Sequence, residues 1–502
     1  MATTKLTRAS FVALLAAVIA LMPKPLWAQE PNGLQAAAAI EGALVDAIAG
    51  SEKSVVAIAR ADVDDPAAQS RVTISRGPAG GGLEAGLPQV QAPRSPGDPD
   101  FIPDAYATGV IVDRHGLILT YYHVLRLKSQ HYVTTPDRRV YAAHIKAADP
   151  RSDLAILEID ADNLTPIRFG DATGLKKGQI VIALGNPFSI ARDGQVSASW
   201  GIVSNLSRKA PPDDPNQYSP TGKDKLYHFG TLIQTDAKLN LGTSGGALVN
   251  LRGEMIGLTT SLAATAGYEQ AAGYAVPVDD TFRRVVDALK EGREVEYGYL
   301  GVTLENLKDS ELAKGAHGAR VEIVQGGSPA ERAGLHRTDI VTHVNDQSIF
   351  DADGLMLEVG RLPVESQVQL TVRRDDREQK IHVELAKYPV RGVKVVTAPS
   401  PAWRGLRVDY ATALPSDTRR LPYDRISPEG CVVITEVEKD SPAAAAQLQV
   451  GMYVTQAGGA SVRTPREFQA AVAGKSGDVS LRVFAGAEVN STEVRTVKPT
   501  AG

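Results

Sequence analysis

Between Thr108 and about Leu262, apolar residues come in many short runs broken by turn residues, with no long helical period between them. Gly109-Val110-Ile111-Val112 runs into an Asp113-Arg114-His115-Gly116 turn, Gln179 to Leu184 forms another run, and Glu254 to Leu258 follows an Asn250-Leu251-Arg252-Gly253 turn. Short strands at this spacing predict a sandwich or barrel. Upstream, Ser54 to Ala59 predicts a strand, and Ile40, Leu44 and Ile48 recur about once per helical turn, predicting a short amphipathic helix. Downstream, Phe282, Val285, Val286 and Leu289 follow i, i+3, i+4, i+7 spacing, with Asp279 or Asp280 as the cap and Gly292 as the stop.

Beyond Gly292 the pattern changes and repeats. Ser328-Pro329-Ala330, Leu335 and Val341 match Ser441-Pro442-Ala443, Leu448 and Val454 at an offset of 113, and Val321 and Val324 match Ile434 and Val437 at the same offset. This predicts two copies of one module; a solenoid would need more copies at a shorter period. Two stretches interrupt the strand pattern: residues 61–104, rich in Gly, Pro, Ala and Asp, and roughly Arg208 to Lys225. Both are expected to be exposed loops, the first long and flexible.

Residues 1–28 stand apart. Lys5 and Arg8 precede an apolar run from Phe11 to Met22, and Leu26-Trp27-Ala28 ends on a small residue, the layout of a secretory signal. An exported protein with no stable membrane span in its mature chain is therefore expected; a signal left uncleaved would instead serve as an anchor. Removing Lys5, Arg8 and Lys24 would take the formal charge from −4 to −7. That balance gives no electrostatic reason to expect a nucleic-acid partner. A single cysteine, Cys431, excludes an intramolecular disulfide, and its apolar strand context predicts a small buried side chain. At 502 residues the chain is long enough for about three domains.

The chemistry concentrates at three places. Gly242-Thr243-Ser244-Gly245-Gly246 embeds a serine in glycines, which lets a substrate backbone approach and backbone N–H groups turn inward. Thr120-Tyr121-Tyr122-His123-Val124 closes one strand pattern, and Asp153 opens another in Ser152-Asp153-Leu154-Ala155-Ile156-Leu157. His, Asp and Ser thus appear in the chain order of the chymotrypsin triad. This predicts a serine protease with His123, Asp153 and Ser244 as its triad. No HExxH pattern, thiolate cage or phosphate-binding loop accompanies them, so no metal, cofactor or ATP dependence is expected.

These residues, with Gly116-Leu117-Ile118-Leu119-Thr120, Gly185-Asn186-Pro187-Phe188, Gly201-Ile202-Val203-Ser204, Ile233-Gln234-Thr235-Asp236-Ala237 and Gly273-Tyr274-Ala275-Val276-Pro277, make the chain similar to the HtrA/Deg family of exported serine proteases. The resemblance implies a mainly β chain, a chymotrypsin-like double β-barrel followed by two PDZ domains, each a small α+β barrel. The protease domain would comprise residues 29–60 and 105–292, the first PDZ domain 297–388 and the second 400–498. It also implies an oxyanion hole from the backbone N–H groups of Gly242 and Ser244, and a carboxylate-binding loop at Tyr299, Leu300, Gly301 and Val302. Substrates would be unfolded or misfolded exported proteins and peptide C-termini, and the assembly trimer-based, in the periplasm or another extracytoplasmic space.

The sequence departs from the family at Tyr121 and Tyr122, at Thr243 and Leu241 before the nucleophile, and at Arg404-Gly405-Leu406, a loose match to a carboxylate-binding loop. Two other readings share the same residues: a chaperone or scaffold whose triad is idle because of the tyrosine pair, and a protease dedicated to one client.

Overall fold

A computed structural model describes residues 32–61, 103, 105–186, 194–210, 223–260, 273–414, 430–484 and 492–499. The signal-like segment, nearly all of the 61–104 stretch, the centre of the second insertion and Pro187-Phe188 lie outside them.

Two closed six-stranded barrels carry the first half. Strands β1 (Val55–Ala61), β2 (Ala105–Ile111), β3 (Leu117–Tyr121), β4 (Gln130–Thr134), β5 (Val140–Asp149) and β6 (Leu154–Ile159) run in the order β5-β4-β1-β2-β3-β6, and a β5–β6 pairing closes the ring. After a two-residue strand β7 (Arg168–Phe169) come β8 (Ile180–Gly185), β9 (Ser197–Arg208), β10 (Leu232–Thr235), β11 (Ala247–Val249), β12 (Glu254–Thr260) and β13 (Gly273–Pro277), closed by a β11–β12 pairing. Alternate residues serve different cores. Val56, Ile58, Ile111, Ile118 and Leu157 fill the first barrel, while Val55, Val110, Leu119 and Ile156 point outward onto Ile182, Leu184 and Val249 of the second. Both faces are therefore apolar, which is why Val110-Ile111 and Ile118-Leu119 read as continuous apolar pairs.

Helix α1 (Asn32–Ser51) is longer than the alternation around Ile40 suggests. Its C-terminal half packs Leu44, Ala47 and Ile48 on the core shared by the barrels, while Leu34, Ile40 and Val45 are exposed. By length and composition alone the helical stretch Gly33–Ser54 is apolar enough to cross a membrane. Helix α2 (Asp280–Lys290) is capped by Asp279, whose Oδ1 accepts the Phe282 N–H at 2.8 Å. It buries Phe282, Val285, Val286 and Leu289 in the shared core, and that core continues past Gly292 through Val295 and Tyr297 to Val390.

The next module is a sheet of β15 (Val302–Asn306), β16 (Ala319–Val324), β17 (Ile340–Val344), β19 (Gln367–Arg374) and β20 (Arg377–Glu384), with β18 (Gln347–Ser348) beside β17. Helix α3 (Ala352–Arg361) covers it, and β14 (Gly298–Tyr299) pairs with β21 (Ala386–Lys387) at its base. The last module repeats this order in β23 (Leu406–Tyr410), β24 (Val432–Val437), β25 (Tyr453–Ala457), β27 (Val479–Phe484) and β28 (Thr492–Val497), with β26 (Ala460–Ser461) beside β25 and helix α4 (Pro465–Val472). Between the modules, β22 (Val395–Val396) returns to the first barrel and pairs antiparallel with Ala147 and Ala148 of β5.

Candidate active site

His123 follows β3 in a single 3-10 turn, Tyr122–Val124. Asp153 ends the β5–β6 connection in a left-handed conformation, φ 62°, which Asp tolerates better than most residues. Tyr122 N–H donates to the Asp153 carbonyl at 2.7 Å, and Asp149 Oδ2 accepts the Ser152 N–H at 2.7 Å and its hydroxyl at 2.6 Å, so the turn is fastened on both sides.

Asp153 is fully buried and grips His123 twice. Its Oδ1 accepts the His123 backbone N–H at 3.0 Å, and its Oδ2 lies 2.6 Å from His123 Nδ1. The same Oδ2 accepts the Tyr227 hydroxyl at 2.9 Å and lies 3.3 Å from Lys225 Nζ. Burial pushes the Asp153 carboxyl up, but the His123 ring, the Lys225 ammonium and the Tyr227 hydroxyl outweigh it and hold the group below its ordinary value.

Ser244 sits on the turn between β10 and β11 and is 5% exposed. Asn240 O accepts the Thr243 N–H at 3.1 Å and the Thr243 hydroxyl at 2.7 Å. The Thr243 carbonyl accepts from Gly246 N at 3.0 Å and from the Thr259 hydroxyl at 2.7 Å. Thr243 thus fixes the turn with its own side chain, while Leu241 beside it is exposed. Gly242 and Gly245 adopt φ of 93° and 89°. At Gly245 a Cβ would lie 2.0 Å from the Thr108 carbonyl oxygen, so only glycine fits.

Thr108 joins the two barrels at this point. Its N–H donates to the Ser244 carbonyl at 2.9 Å and its hydroxyl to the Gly242 carbonyl at 2.8 Å, while Asn186 N–H donates to that hydroxyl at 2.9 Å. Its own carbonyl accepts the Thr120 hydroxyl at 2.9 Å, three residues before His123. The strand leading to His123 and the turn bearing Ser244 are thereby tied to one residue. Thr108 and Thr120 escape a motif search; their signal is a fully buried threonine inside an apolar strand. Lys225 and Tyr227 lie at and just past the edge of the second insertion, where nothing in composition marks them. That insertion is not simply exposed: Lys209 and Lys223 also pair with Asp353 at 2.7 and 2.6 Å.

The two departures before His123 behave differently. Tyr121 is fully buried and stacks beside the His123 ring, centroids 5.1 Å apart, with its hydroxyl donating to Leu258 O at 2.8 Å. Tyr122 turns away and donates to Val393 O at 3.1 Å. Among the described residues no group of three or more His, Cys, Asp or Glu is placed to hold a metal ion.

In the first module the Leu300 carbonyl accepts from Ala330 N and the Gly301 carbonyl from Gln325 N, both at 2.9 Å. Tyr299, Leu300, Gly301 and Val302 line a pocket of about 20 Å³ with Leu355, Met356 and Val359 of α3. The last module repeats the loop. Arg404 O accepts from Ala443 N at 3.2 Å and Gly405 O from Glu438 N at 2.8 Å. A Cβ on Gly301 or Gly405 would lie 2.2 Å from Cβ of Ser328 or Ser441 respectively. Arg404-Gly405-Leu406 is therefore the structural counterpart of Leu300-Gly301-Val302, closer than its sequence suggests.

Comparison with known proteins agrees with this architecture. Residues 107–258 match a trypsin-like peptidase domain and residues 298–385 a PDZ domain. A probable periplasmic serine endoprotease, DegP-like, of Pseudomonas fluorescens is 31% identical over 410 residues, 80% of this chain and 81% of the relative. The periplasmic serine endoprotease DegP of Salmonella typhimurium is 31% identical over 389 residues, 76% of this chain and 74% of the relative. Among solved structures, the HtrA-type protease AlgW with a decapeptide aligns with a TM-score of 0.50 at 26% identity, covering 69% of this chain and 98% of that one. On this likeness over most of its length, the chain belongs to the DegP-like, HtrA-type family of periplasmic serine endoproteases.

Proposed function

We propose that His123, Asp153 and Ser244 are the triad of this endoprotease. The observation that carries the assignment is the double grip of Asp153 on His123, through the backbone N–H and Nδ1. With Nδ1 engaged by the carboxylate, Nε2 is the nitrogen that takes the Ser244 proton as Oγ attacks the scissile carbonyl, and that returns it to the leaving amine. Asp153, kept ionised by Lys225 and Tyr227, stabilises the imidazolium that forms. The backbone N–H groups of Gly242 and Ser244 receive the oxyanion, each worth about 3–4 kcal/mol in comparable sites. Gly242 adopts φ 93°, a conformation that glycine takes without strain.

An active enzyme is favoured over an idle scaffold by the tyrosine pair itself. Tyr121 flanks the imidazole and Tyr122 points elsewhere, so neither displaces His123 from Asp153. The substrates are unfolded or damaged proteins of the extracytoplasmic space, and the Tyr299–Val302 loop binds peptide C-termini by adding a strand at the edge of β15. The last module is a second PDZ domain with Arg404 in place of Leu300. Its guanidinium is spent on the carbonyls of Val497, Lys475 and Gly477, each at 2.7 Å. A trimer-based assembly follows from the family resemblance.

Hydrolysis of casein by the wild-type protein beside Ser244→Ala tests the reading. Ser244→Ala should abolish cleavage with an almost unchanged melting temperature. Residual activity above about a thousandth of wild type would remove Ser244 from its role.

A further inference from the structure

Arg151 belongs to the β5–β6 connection of the first barrel, two residues before Asp153, yet its side chain lies in the pocket of the first PDZ module. It is 2% exposed and lines that pocket with Tyr299, Leu300, Gly301 and Val302. Its guanidinium carbon sits 3.6 Å from the Tyr388 ring centroid and 5.5 Å from that of Tyr297. Nη1 donates to the Asp224 carbonyl at 3.3 Å, whereas Nε and Nη2 are buried without a hydrogen-bond partner. Among the described residues no carboxylate oxygen lies within 4.0 Å of this guanidinium.

The buried Asp149 carboxylate is close enough to feel the Arg151 charge but makes no hydrogen bond to it. A buried cation with no direct partner is costly, and the two aromatic rings offset only part of that cost. The missing anion is indicated by which atoms lack partners. Nε and Nη2 form one of the two edges through which a guanidinium holds a carboxylate by two parallel hydrogen bonds. Nη2 also stands 3.0 Å from the position a Cβ on Gly360 would take, so α3 passes closely enough there that glycine keeps the site open.

We propose that Arg151 is a carboxylate anchor of the first PDZ pocket. The C-terminal carboxylate of a bound peptide is held between the Leu300–Val302 loop and the Nε/Nη2 edge of Arg151, so the protease barrel supplies part of the peptide site. The proposal rests on the reading of Tyr299–Val302 as a peptide-binding loop. The free volume of about 20 Å³ is on the order of one or two water molecules, so a peptide terminus enters with some movement of α3. Occupation would be felt close to the triad. The Arg151 carbonyl accepts the Leu226 N–H at 3.0 Å, and Lys225 and Tyr227 on either side of Leu226 hold Asp153.

The test uses the full chain with Ser244→Ala, so that ligands survive, and fluorescent decapeptides ending in Ala, Val, Leu or Phe, each as free acid and as amide. The parent should bind at least one acid more tightly than its amide. Arg151→Met, which keeps the stack on Tyr388, should weaken acid binding roughly 10- to 100-fold and bring acid and amide within about twofold, the loss expected of a charge-assisted pair. Should Arg151→Met not fold, Arg151→Lys keeps the charge but not the fork, and a several-fold drop in the acid-to-amide ratio supports the proposal. Wild-type acid binding in both variants, or an unchanged ratio in Arg151→Lys alone, overturns the Arg151 assignment and leaves the loop reading standing. Failure of the parent to bind any acid overturns the loop reading and the proposal together.

Discussion

Thr108 donates its backbone N–H to the carbonyl of Ser244, and this one bond sets the serine turn of the second barrel against the first. The Thr108 hydroxyl completes the tie by bridging the Gly242 carbonyl and the Asn186 N–H. Thr108→Val keeps shape and strand propensity but leaves both groups unsatisfied, at about 1–3 kcal/mol each. The expected outcome is a loss of kcat of about tenfold or more with KM little changed, and recovery in Thr108→Ser. Equal kcat in Thr108→Val would show that the turn holds its shape without the staple.

Gly245→Ala tests the same turn sterically. The added carbon meets the Thr108 carbonyl at 2.0 Å in a backbone conformation that L side chains rarely adopt. A stability loss of about 2–4 kcal/mol and no measurable proteolysis are expected. Thermal unfolding and labelling of Ser244 by a fluorophosphonate check the two effects separately.

Lys225→Met tests the electrostatics around Asp153. The lysine helps to hold that carboxyl below its ordinary value, so its removal raises the pKa. A depressed carboxyl contributes stability above the unfolded value of about 3.9 and loses it as pH falls through the folded value. With the folded value raised, the variant should lose stability and activity at a higher pH than wild type. The ratio of wild-type to variant kcat/KM is therefore expected to stay level above about pH 5 and to grow as the pH falls into the carboxylate range near 4. A constant ratio would mean that Tyr227 and His123 suffice.

A further prediction concerns where the protease folding unit ends. A chain cut after Glu291 lacks Val295, Tyr297 and Val390, all buried in the core shared by the barrels, and leaves Asp149 without the Tyr297 hydroxyl that donates to it. Each lost apolar side chain removes about 1.5–3 kcal/mol of burial. Such a chain should melt well below one ending after Ala398, which retains the first module and β22. Equal melting temperatures would place the boundary at Gly292, as the helix stop alone suggests.

The positions proposed for the triad stand out in the sequence because nucleophile, base and orienting acid allow few residue types, and each lies beside a strand signal. The barrels were legible from short apolar runs, although those runs could not show that odd and even positions feed different cores. What surrounds the site was much less visible. Which of Tyr121 and Tyr122 would meet the imidazole depends on where β3 gives way to the 3-10 turn, a boundary finer than any periodicity. Lys225 and Arg151 act across long sequence separations, through a polar insertion and a turn whose composition is ordinary. Arg404-Gly405 was undervalued because a carboxylate-binding-type loop is specified by backbone conformation at Gly405, not by the residue before it.

The pairing of β22 with β5 makes the first module a span fixed at both ends. The chain leaves the barrels at Arg293, builds the module, and is fastened back by Val395 and Val396, with Thr397 and Ala398 N–H both donating to the Gly292 carbonyl. Cutting either strap alone leaves the module still attached through the other. The last module hangs from the far side of that closure on a single stretch of chain, so one cut between Ala398 and Trp403 severs its only covalent link while the rest of the molecule stays laced together. Flexibility between the two modules is thus unequal by topology: one is limited to twisting between its moorings, the other swings once Lys387 releases Asp409 and Glu365 releases Tyr410 and Arg466.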